Sequence, residues 1–507
     1  MINTYSSNLV AGPDVFERRK RDWRNSQVVY QVFVDRFAIG GDLASRSHLY
    51  SAPRRLRPWR AQPRRGTFDP GAGVWRQELD FWGGDLKGVA SRLDYIARLG
   101  ANVVYLNPIF EAFTNHKYDT VDYFAIDPQF GTEGDLAALC EAAHARGLKV
   151  VLDGVFNHTG RRCAWFEDAS ARPESPYRSY YRFDSQVSGG CVTWRNSTNL
   201  PELDLEHEAV REILFEGPDS VVRHHLRWID GWRLDVASDI GPGILAELTA
   251  AAHEARLDSL VIGELWNYPG GWMPAVDAAM NLYLATILMD FARGEMSAGK
   301  AAALIAAMVA DVGIEPLLKS WCVLSNHDRP RLASLFPRLA DRVFLWSLMI
   351  TLPGSPLVYY GEEIGLEGQG DPYQRGPMDW DRALGGKAEE TRVLKELLQL
   401  RADHEALVVG DYVPMVADRL LAFSRRTHSA RQTVIVAANA GDTEVREAVS
   451  PQMPWLVDST PMRELRTGAV RKMECGFLRL AVPPRTVQIW APEPEAGRGY
   501  RFLKRVP

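Results

Sequence analysis

Short apolar runs rich in β-branched and aromatic residues recur along most of the chain. Runs of this kind between polar segments predict buried strands. Eight candidate strands lie at 28–34, 102–106, 148–153, 230–235, 260–264, 278–281, 321–325 and 356–360. Helical periodicity between them is clearest at 133–146, 207–227, 243–257 and 296–311. Because strands that alternate with helices form parallel sheets, the pattern predicts an α/β fold, a (β/α)8 TIM barrel.

Two stretches depart from this alternation. Residues 157–205, between the third and fourth strands, are dense in Arg, Ser, Tyr, Pro and Gly and lack helical periodicity. A loop of that length is usually functional, and we expect an inserted subdomain beside the carboxyl ends of the strands. After about residue 404, alternating segments such as Thr433–Ala437 and Thr486–Trp490 predict a C-terminal antiparallel β-sandwich.

These patterns give a complete predicted domain organisation. The predicted segments are an N-terminal extension at 1–23, the barrel at 24–156 and 206–403, the inserted subdomain B at 157–205, the β-sandwich at 404–492 and a tail at 493–507.

The amino-acid composition indicates which classes of molecule the protein is expected to bind. The chain has 59 basic and 64 acidic residues, a net charge of −5 and no long run of one sign, which argues against nucleic acid or an anionic membrane. We therefore expect a neutral substrate. The sequence shows neither a signal peptide nor a membrane-spanning stretch. Five cysteines without a CxxC pair indicate neither a disulfide framework nor a zinc site, and they favour a reducing cytoplasm.

Three acidic residues, Asp235, Glu264 and Asp328, each follow an apolar strand-like run. In a barrel of parallel strands the carboxyl ends of all strands meet on one face, so these side chains can surround one substrate bond. A single acid at a strand end is more often a loop cap or an ion-pair partner. The prediction of a catalytic site therefore depends on the three acids together.

Four segments in a fixed order carry a resemblance to glycoside hydrolase family 13, the α-amylase family. They are Asp153-Gly-Val-Phe-Asn157-His158, Gly231-Trp-Arg233-Leu-Asp235, Glu264 and Ser325-Asn326-His327-Asp328. Further segments resemble the neopullulanase, cyclomaltodextrinase and α-glucosidase group, namely Tyr30–Phe37, Asn115–Thr120 and Gly263–Trp266. Members of that group typically carry an N-terminal β-domain, for which we see no room before the strand at 28–34.

The resemblance implies a role for each acid. Asp235 would be the nucleophile, Glu264 the general acid and base, and Asp328 the transition-state stabiliser that orients the sugar. Arg233 lies two residues before Asp235 on the same strand, so both side chains face the same way. We expect the guanidinium of Arg233 to hold the Asp235 carboxylate ionised.

The resemblance also implies contacts with the sugar from residues around the acids. The predicted substrate-binding residues are Tyr118, Asp119, His158, Arg233, Trp266, His327 and Arg375. Tyr118 matches the family's stacking platform, and His158 and His327 are expected to donate hydrogen bonds to sugar hydroxyls. Trp266 either borders the acceptor subsites or belongs to the core.

Calcium is a separate question. Asn157 and Asp204 match positions that hold calcium in many α-amylases, and oxygen donors suit that ion. Two donors fall short of the usual six to eight ligands, and Asn157 could instead hydrogen-bond its own loop. We predict no required cofactor, with calcium as the alternative.

Together these features predict a retaining hydrolase of α-1,4 bonds, with α-1,6 bonds as a further target, in maltodextrins, cyclodextrins or pullulan. An α-glucosidase or a glucosyl transferase acting on short oligosaccharides is the alternative, because the same motifs serve both. A non-catalytic, amylase-like interaction protein is a third reading. Proteins of that kind carry a membrane anchor and tend to lose the catalytic acids, whereas this chain retains Asp235, Glu264 and Asp328.

Overall fold

The computed structural model describes residues 12–493 except residues 188 and 387. The predicted extension at 1–23 and tail at 493–507 therefore lie partly outside the described residues. Eight parallel strands form a closed barrel in chain order: β1 Val29–Val32, β2 Val103–Leu106, β3 Lys149–Gly154, β4 Gly231–Leu234, β5 Leu260–Leu265, β6 Ala278–Asn281, β7 Trp321–Val323 and β8 Ser355–Tyr359. The prediction of a (β/α)8 barrel is confirmed.

The barrel strands are mostly apolar because both of their faces are covered. All four residues of β1, β2, β4 and β6 are buried. The register of β4 places Arg233 beside Asp153 of β3 and Ile262 of β5. Two charged residues thus share one level of the barrel near the carboxyl ends of its strands.

Helices surround the barrel and connect its strands. Their bounds are Pro13–Arg21, Val34–Phe37, Leu86–Ser91, Leu93–Leu99, Glu133–His144, Glu208–Arg211, Val221–His225, Ala237–Ile240, Pro242–Ala255, Leu282–Arg293, Ala298–Val312, Ile314–Lys319, Leu332–Leu335, Leu339–Thr351, Trp380–Leu384, Glu389–Ala402 and Glu405–Val409. No helix among the described residues is both long and apolar enough to span a membrane.

The helical periodicity at 207–227 does not correspond to one continuous helix. The segment forms a helix at Glu208–Arg211, a π-turn at Glu212–Glu216 and a separate helix at Val221–His225. Gly217 between them is extended, with φ −62° and ψ 153°. The next residue is Pro218, and a residue that precedes proline is pushed out of the helical region.

The inserted segment between β3 and β4 contains a helix, Ala164–Ala171, where we predicted no helical periodicity. The helix is only eight residues long and buries Phe166 and Ala169, a pattern too short to stand out in the sequence. Pairing between His158 and Glu202 closes the base of the segment.

Small strand pairs lie on the loops that follow β1 and β2. They are Arg55–Leu56 with Asp80–Phe81, Phe68–Asp69 with Val74–Trp75, and Phe110–Ala112 with Thr120–Ile126.

The C-terminal region forms the predicted antiparallel β-sandwich. Its strands are β9 Asp411–Pro414, β10 Leu421–Arg426, β11 Val434–Asn439, β12 Val445–Val449, β13 Pro461–Glu464, β14 Val470–Lys472, β15 Leu478–Val482 and β16 Thr486–Pro492. Six strands form one sheet in the order β9-β10-β11-β16-β13-β14, and β12 pairs with β15. Apolar residues of both sheets, such as Ile435, Val445, Leu478 and Trp490, form a separate core.

Candidate active site

The three acids lie at the carboxyl ends of three barrel strands. Asp235 follows β4 directly, Glu264 is the last but one residue of β5, and Asp328 follows β7. All three line one cavity of about 430 Å³, which the inserted segment borders with Trp194 and Leu200. The acids that are scattered along the sequence therefore meet around a space of the size that small-molecule sites occupy.

One buried guanidinium joins the acids of this cavity. Nη1 of Arg233 lies 2.7 Å from Oδ1 of Asp153 and 2.9 Å from Oδ1 of Asp235, and Nη2 lies 2.7 Å from Oε1 of Glu264. From the sequence we expected Arg233 to hold the carboxylate of Asp235. The structure shows that it is shared by three carboxyl groups.

Asp153 is a central residue to which we assigned no role. It is buried and accepts hydrogen bonds from the hydroxyls of Tyr105, at 2.6 Å, and Tyr118, at 2.9 Å, in addition to Arg233. The position of Asp153 near the end of β3 was a signal in the sequence, whereas its pairing with Arg233 depends on the register of β3 and β4. Asp153 thereby fixes both the arginine and the predicted sugar platform, Tyr118.

The acids have unusual protonation equilibria. Burial raises the pKa of Glu264, Arg233 opposes this effect, and the negative charge of Asp328 raises the pKa further. Burial likewise raises the pKa of Asp235, with Arg233 opposing and Glu264 adding to the increase. The single cation of Arg233 therefore offsets only part of the cost of burying these carboxylates.

The hydrogen bonds around His327 define its tautomer. The side-chain amide of Gln31 donates to Nδ1 at 2.9 Å, so Nε2 carries the proton. Nε2 lies 2.6 Å from the Tyr118 hydroxyl and 3.0 Å from Oδ2 of Asp328. Burial lowers the pKa of His327 well below its ordinary value, and the ring is therefore neutral.

Arg375 holds the other side of Asp328. Its Nη2 lies 3.2 Å from Oδ1 of Asp328, and its Nη1 lies 3.1 Å from Oδ1 of Asp371. Arg375 also donates to the main-chain carbonyl of His327 at 2.9 Å. Asp328 is thus aimed into the cavity by His327 and Arg375, two residues that we had predicted to contact sugar.

Comparison with known proteins agrees with this arrangement. Residues 31–407 match the family model described as the alpha amylase catalytic domain. The chain is 32% identical to a cyclomaltodextrinase of Geobacillus thermopakistaniensis over 93% of this chain and 78% of that protein. It is 33% identical to neopullulanase 2 of Thermoactinomyces vulgaris over 91% of this chain and 77% of that protein.

The chain belongs to the α-amylase family of glycoside hydrolases. A solved structure of the cyclic α-maltosyl-(1→6)-maltose hydrolase from Arthrobacter globiformis, in complex with that sugar, is also similar. The TM-score is 0.77 at 27% identity, covering 93% of this chain and 99% of that one.

The remaining walls of the α-amylase-family cavity carry aromatic rings. Trp266 lies two residues beyond Glu264 and is 48% exposed, which places it at the cavity and excludes the core alternative. His158 lines the cavity, and its ring stacks on Trp194 with 5.7 Å between centroids. Burial lowers the pKa of His158 to about 3, so this imidazole is neutral.

The residue that follows the predicted nucleophile has strained backbone geometry. Val236 has φ 42° and ψ 44°, a left-handed conformation that is rare for a β-branched residue. This turn directs the Val236 amide at Oε2 of Glu264, at 3.0 Å. The amide hydrogen bond and Arg233 fix both oxygens of Glu264.

Asp119 does not occupy the place that we predicted. Its carboxyl accepts hydrogen bonds from Thr114 and, at 3.1 Å, from the side-chain amide of Asn199. Among the described residues that line the cavity, Asp119 is absent. The residue joins the Tyr118 loop to the inserted segment, which the chain order alone did not reveal.

Asn157 and Asp204 lie close together but are bonded to protein. The main-chain amide of Leu203 donates to the main-chain carbonyl of Asn157 at 3.0 Å, and Oδ1 of Asp204 accepts from the Glu206 amide at 3.1 Å. Within the described ranges, no three His, Cys, Asp or Glu side chains are grouped to hold a metal ion. The donors present fit a hydrogen-bonded loop better than a calcium shell of six to eight oxygens.

Proposed function

We propose that the enzyme hydrolyses α-1,4 bonds, and also α-1,6 bonds, of short α-glucans such as maltodextrins, cyclodextrins and pullulan with retention of configuration. The observation that carries this proposal is the binding of Asp235 and Glu264 to one guanidinium, that of Arg233. Retaining glycosidases hold their two carboxyls about 5 Å apart, a closeness that a shared guanidinium favours. The names of the related cyclomaltodextrinase and neopullulanase support the substrate class.

In the first step, Asp235 attacks the anomeric carbon while Glu264 protonates the departing glycosidic oxygen. The bond from carbon to the leaving oxygen breaks, and an ester forms between the sugar and Asp235. The raised pKa of Glu264 suits this step because the acid must carry a proton near neutral pH. Arg233 stabilises the carboxylate form of Asp235 from which the attack begins.

In the second step, Glu264 removes a proton from water, and the water oxygen displaces Asp235 from the anomeric carbon. Glu264 has given up its proton and can now act as a base. Formation of the ester removes the negative charge of Asp235, and loss of a nearby negative charge lowers the pKa of a carboxyl such as Glu264. Each half-reaction therefore prepares the protonation state that the next one needs.

Sugar binding is assigned to the groups around these two acids. Asp328 faces the cavity and is fixed by His327 and Arg375, so it can accept hydrogen bonds from hydroxyls of the reacting ring. Tyr118 offers an aromatic surface whose position Asp153 fixes. His158 is neutral and can donate one hydrogen bond without adding positive charge beside the developing oxocarbenium carbon.

Transfer of the glucosyl group to another sugar is the second candidate. The half-exposed ring of Trp266 lies beside Glu264, where the acceptor must approach, and offers a platform that favours a sugar over water. Incubation with concentrated maltotriose distinguishes the two outcomes. Hydrolysis gives only shorter products, whereas transfer also gives products longer than maltotriose.

A substrate panel tests the proposed function. The enzyme is incubated separately with maltose, maltotriose, pullulan, β-cyclodextrin and sucrose, and the anomeric form of fresh products is followed by proton NMR. We expect cleavage of the α-glucans with the α-anomer appearing first. Initial release of the β-anomer, or no cleavage of any α-glucan, would contradict the proposal.

We also propose a cytoplasmic location. All five cysteines lie in the described part of the chain and are unpaired, and four of them are buried. Unpaired thiols are usual in a reducing compartment. Fractionation of the source cells tests this location, which recovery of the activity outside the cytoplasm would contradict.

A further inference from the structure

A second cavity of about 380 Å³ adjoins the active-site cavity. Four residues line both spaces, namely Glu78, His116, Ser197 and Leu200. Glu264 and Trp266 line only the first cavity among the described residues, so the second extends away from the acid. We call this second space the distal chamber.

One wall of the distal chamber is a short β-hairpin. Phe68 pairs with Trp75, and Asp69 pairs with Val74. Side chains alternate along a strand, so Val74 points away from Trp75, whose ring contacts that of Phe68 with 5.8 Å between centroids. Val74 is buried against Leu79 and Phe113, which anchors the hairpin.

The turn of this hairpin is fixed by local chemistry. The side chain of Asp69 accepts hydrogen bonds from the amides of Gly71, at 3.1 Å, and Ala72, at 3.2 Å. Gly73 adopts φ +74°, which glycine tolerates without strain. The hairpin is therefore a defined structure, and its two aromatic rings have fixed positions.

A second wall is formed by residues 196–200, which belong to the loop 194–200 of the inserted segment. Two successive residues of this loop, Arg195 and Asn196, have positive φ values of 47° and 60°. Asn199 ties the loop to the Tyr118 loop through its 3.1 Å hydrogen bond to Asp119. This contact gives Asp119 a positioning function, because it holds a wall of the chamber rather than a sugar.

The lining of the chamber combines aromatic surface with uncharged polar groups. Phe68 and Trp75 are 43% and 41% exposed, which is high for rings of this size. Asn196, Ser197, Thr198 and Asn199 provide amide and hydroxyl groups on the other side. A pyranose ring presents an apolar face of C–H groups and a rim of hydroxyls, and both find matching partners in this space.

Glu78 connects the hairpin to the catalytic cavity. Oε2 of Glu78 accepts a hydrogen bond from the Trp75 amide at 2.8 Å, and Oε1 lies 3.6 Å from Nε2 of His116. The same carboxyl therefore borders both spaces and is fixed to the strand that carries Trp75. A chain of sugar units that leaves the catalytic cavity passes this carboxyl on entering the chamber.

We propose that the distal chamber binds further glucosyl units of the α-glucan whose bond is cut between Asp235 and Glu264, with Trp75 as the principal platform. This inference rests on the proposed function and makes it more specific. It assigns the enzyme a preference for chains long enough to reach the hairpin over short chains that fill only the catalytic cavity.

The test compares maltoheptaose with maltotriose in the full-length enzyme. We expect Trp75→Ala to lower the ratio of kcat/KM for maltoheptaose to that for maltotriose about fivefold, as loss of one aromatic contact predicts. Trp75→Phe keeps a ring and should retain most of the preference. Trp455→Ala removes an equally exposed tryptophan, at 40%, from the β-sandwich and should leave the ratio unchanged.

The outcomes separate the two proposals. An unchanged ratio in Trp75→Ala, or an equal change in Trp455→Ala, would overturn the chamber while leaving the proposed function intact. If the unaltered enzyme cut neither sugar, the proposed function would fail and the chamber with it. Circular dichroism of each variant confirms that the comparison is made between folded proteins.

Discussion

Arg233 and Glu264 are joined by a 2.7 Å contact between Nη2 and Oε1, while Nη1 of the same arginine binds Asp235. The predicted nucleophile and the predicted acid are therefore coupled through one buried cation. Loss of charge on either carboxyl changes the environment of the other, which is what a two-step retaining reaction requires.

Replacement of the nucleophile should abolish turnover and preserve the fold. In Asp235→Asn the amide cannot form the glycosyl ester, so we expect kcat on maltotriose to fall at least about 1000-fold. The thermal midpoint should change little, because the substitution removes one of several like charges around Arg233. Activity within about tenfold of the unaltered enzyme would contradict the assignment.

Replacement of the acid should produce a defect that depends on the leaving group. Glu264→Gln cannot protonate the departing oxygen, so we expect slow cleavage of maltotriose but rapid first-step reaction with α-glucosyl fluoride, whose leaving group needs no proton. Added azide should accelerate turnover and give an α-glucosyl azide. Asp235→Asn provides the matched control, since a good leaving group should not restore its activity.

Replacement of Arg233 by lysine should lower both activity and stability. Lysine keeps the positive charge but loses the planar fork that reaches Asp153, Asp235 and Glu264 together. We expect Arg233→Lys to lower kcat at least about 100-fold. Breaking a buried ion pair costs about 3–5 kcal/mol, so urea unfolding should also show reduced stability. Normal activity with normal stability would show that the fork is unimportant.

The pH dependence of kcat/KM tests whether the charge of Asp328 raises the pKa of Glu264. The rate falls as pH rises through the pKa of Glu264, because the general acid must be protonated. The negative charge of Asp328 raises this pKa, so removing it should lower the pKa. We therefore expect the alkaline limb of kcat/KM to move to lower pH in the residual activity of Asp328→Asn. Glu474→Gln, on the exposed β-sandwich surface, is the control.

A limb that stays in place or moves to higher pH in Asp328→Asn would contradict the coupling between Asp328 and Glu264. The same result in Glu474→Gln as in Asp328→Asn would assign any shift to overall charge.

Metal removal tests the prediction that no cation is required. The main-chain carbonyl of Asn157 and Oδ1 of Asp204 already accept hydrogen bonds from protein. We expect dialysis against EDTA to change neither the thermal midpoint nor the rate on maltotriose, and added calcium to restore nothing. A lower thermal midpoint that calcium reverses would establish a structural calcium site instead.

The sequence predicted the parts of the fold that depend on local pattern. Apolar runs predicted the eight barrel strands, because most residues of a strand that is covered on both faces are apolar. The inserted helix at Ala164–Ala171 was missed because two buried residues, Phe166 and Ala169, are too few to produce a period. The break in the helical segment at Gly217 and Pro218 could have been predicted, because proline disfavours a helical conformation of the residue before it.

The contacts within the site were harder to predict because they join residues far apart in sequence. Asp153 and Arg233 are separated by 80 positions and meet only through the register of β3 and β4. Asp119 was predicted to bind sugar, but its carboxyl accepts a hydrogen bond from Asn199, a residue 80 positions away. Residue types indicated the chemistry, and the folded chain determined which partners each residue has.

Trapping of the covalent intermediate tests the central claim most directly. The enzyme is incubated with 5-fluoro-α-glucosyl fluoride, digested with protease and examined by mass spectrometry. We predict that one fluoroglucosyl group is attached to the peptide that contains Asp235, and that Asp235→Asn carries none. Attachment to a different residue, or inactivation without any adduct, would contradict the assignment of Asp235 as the nucleophile.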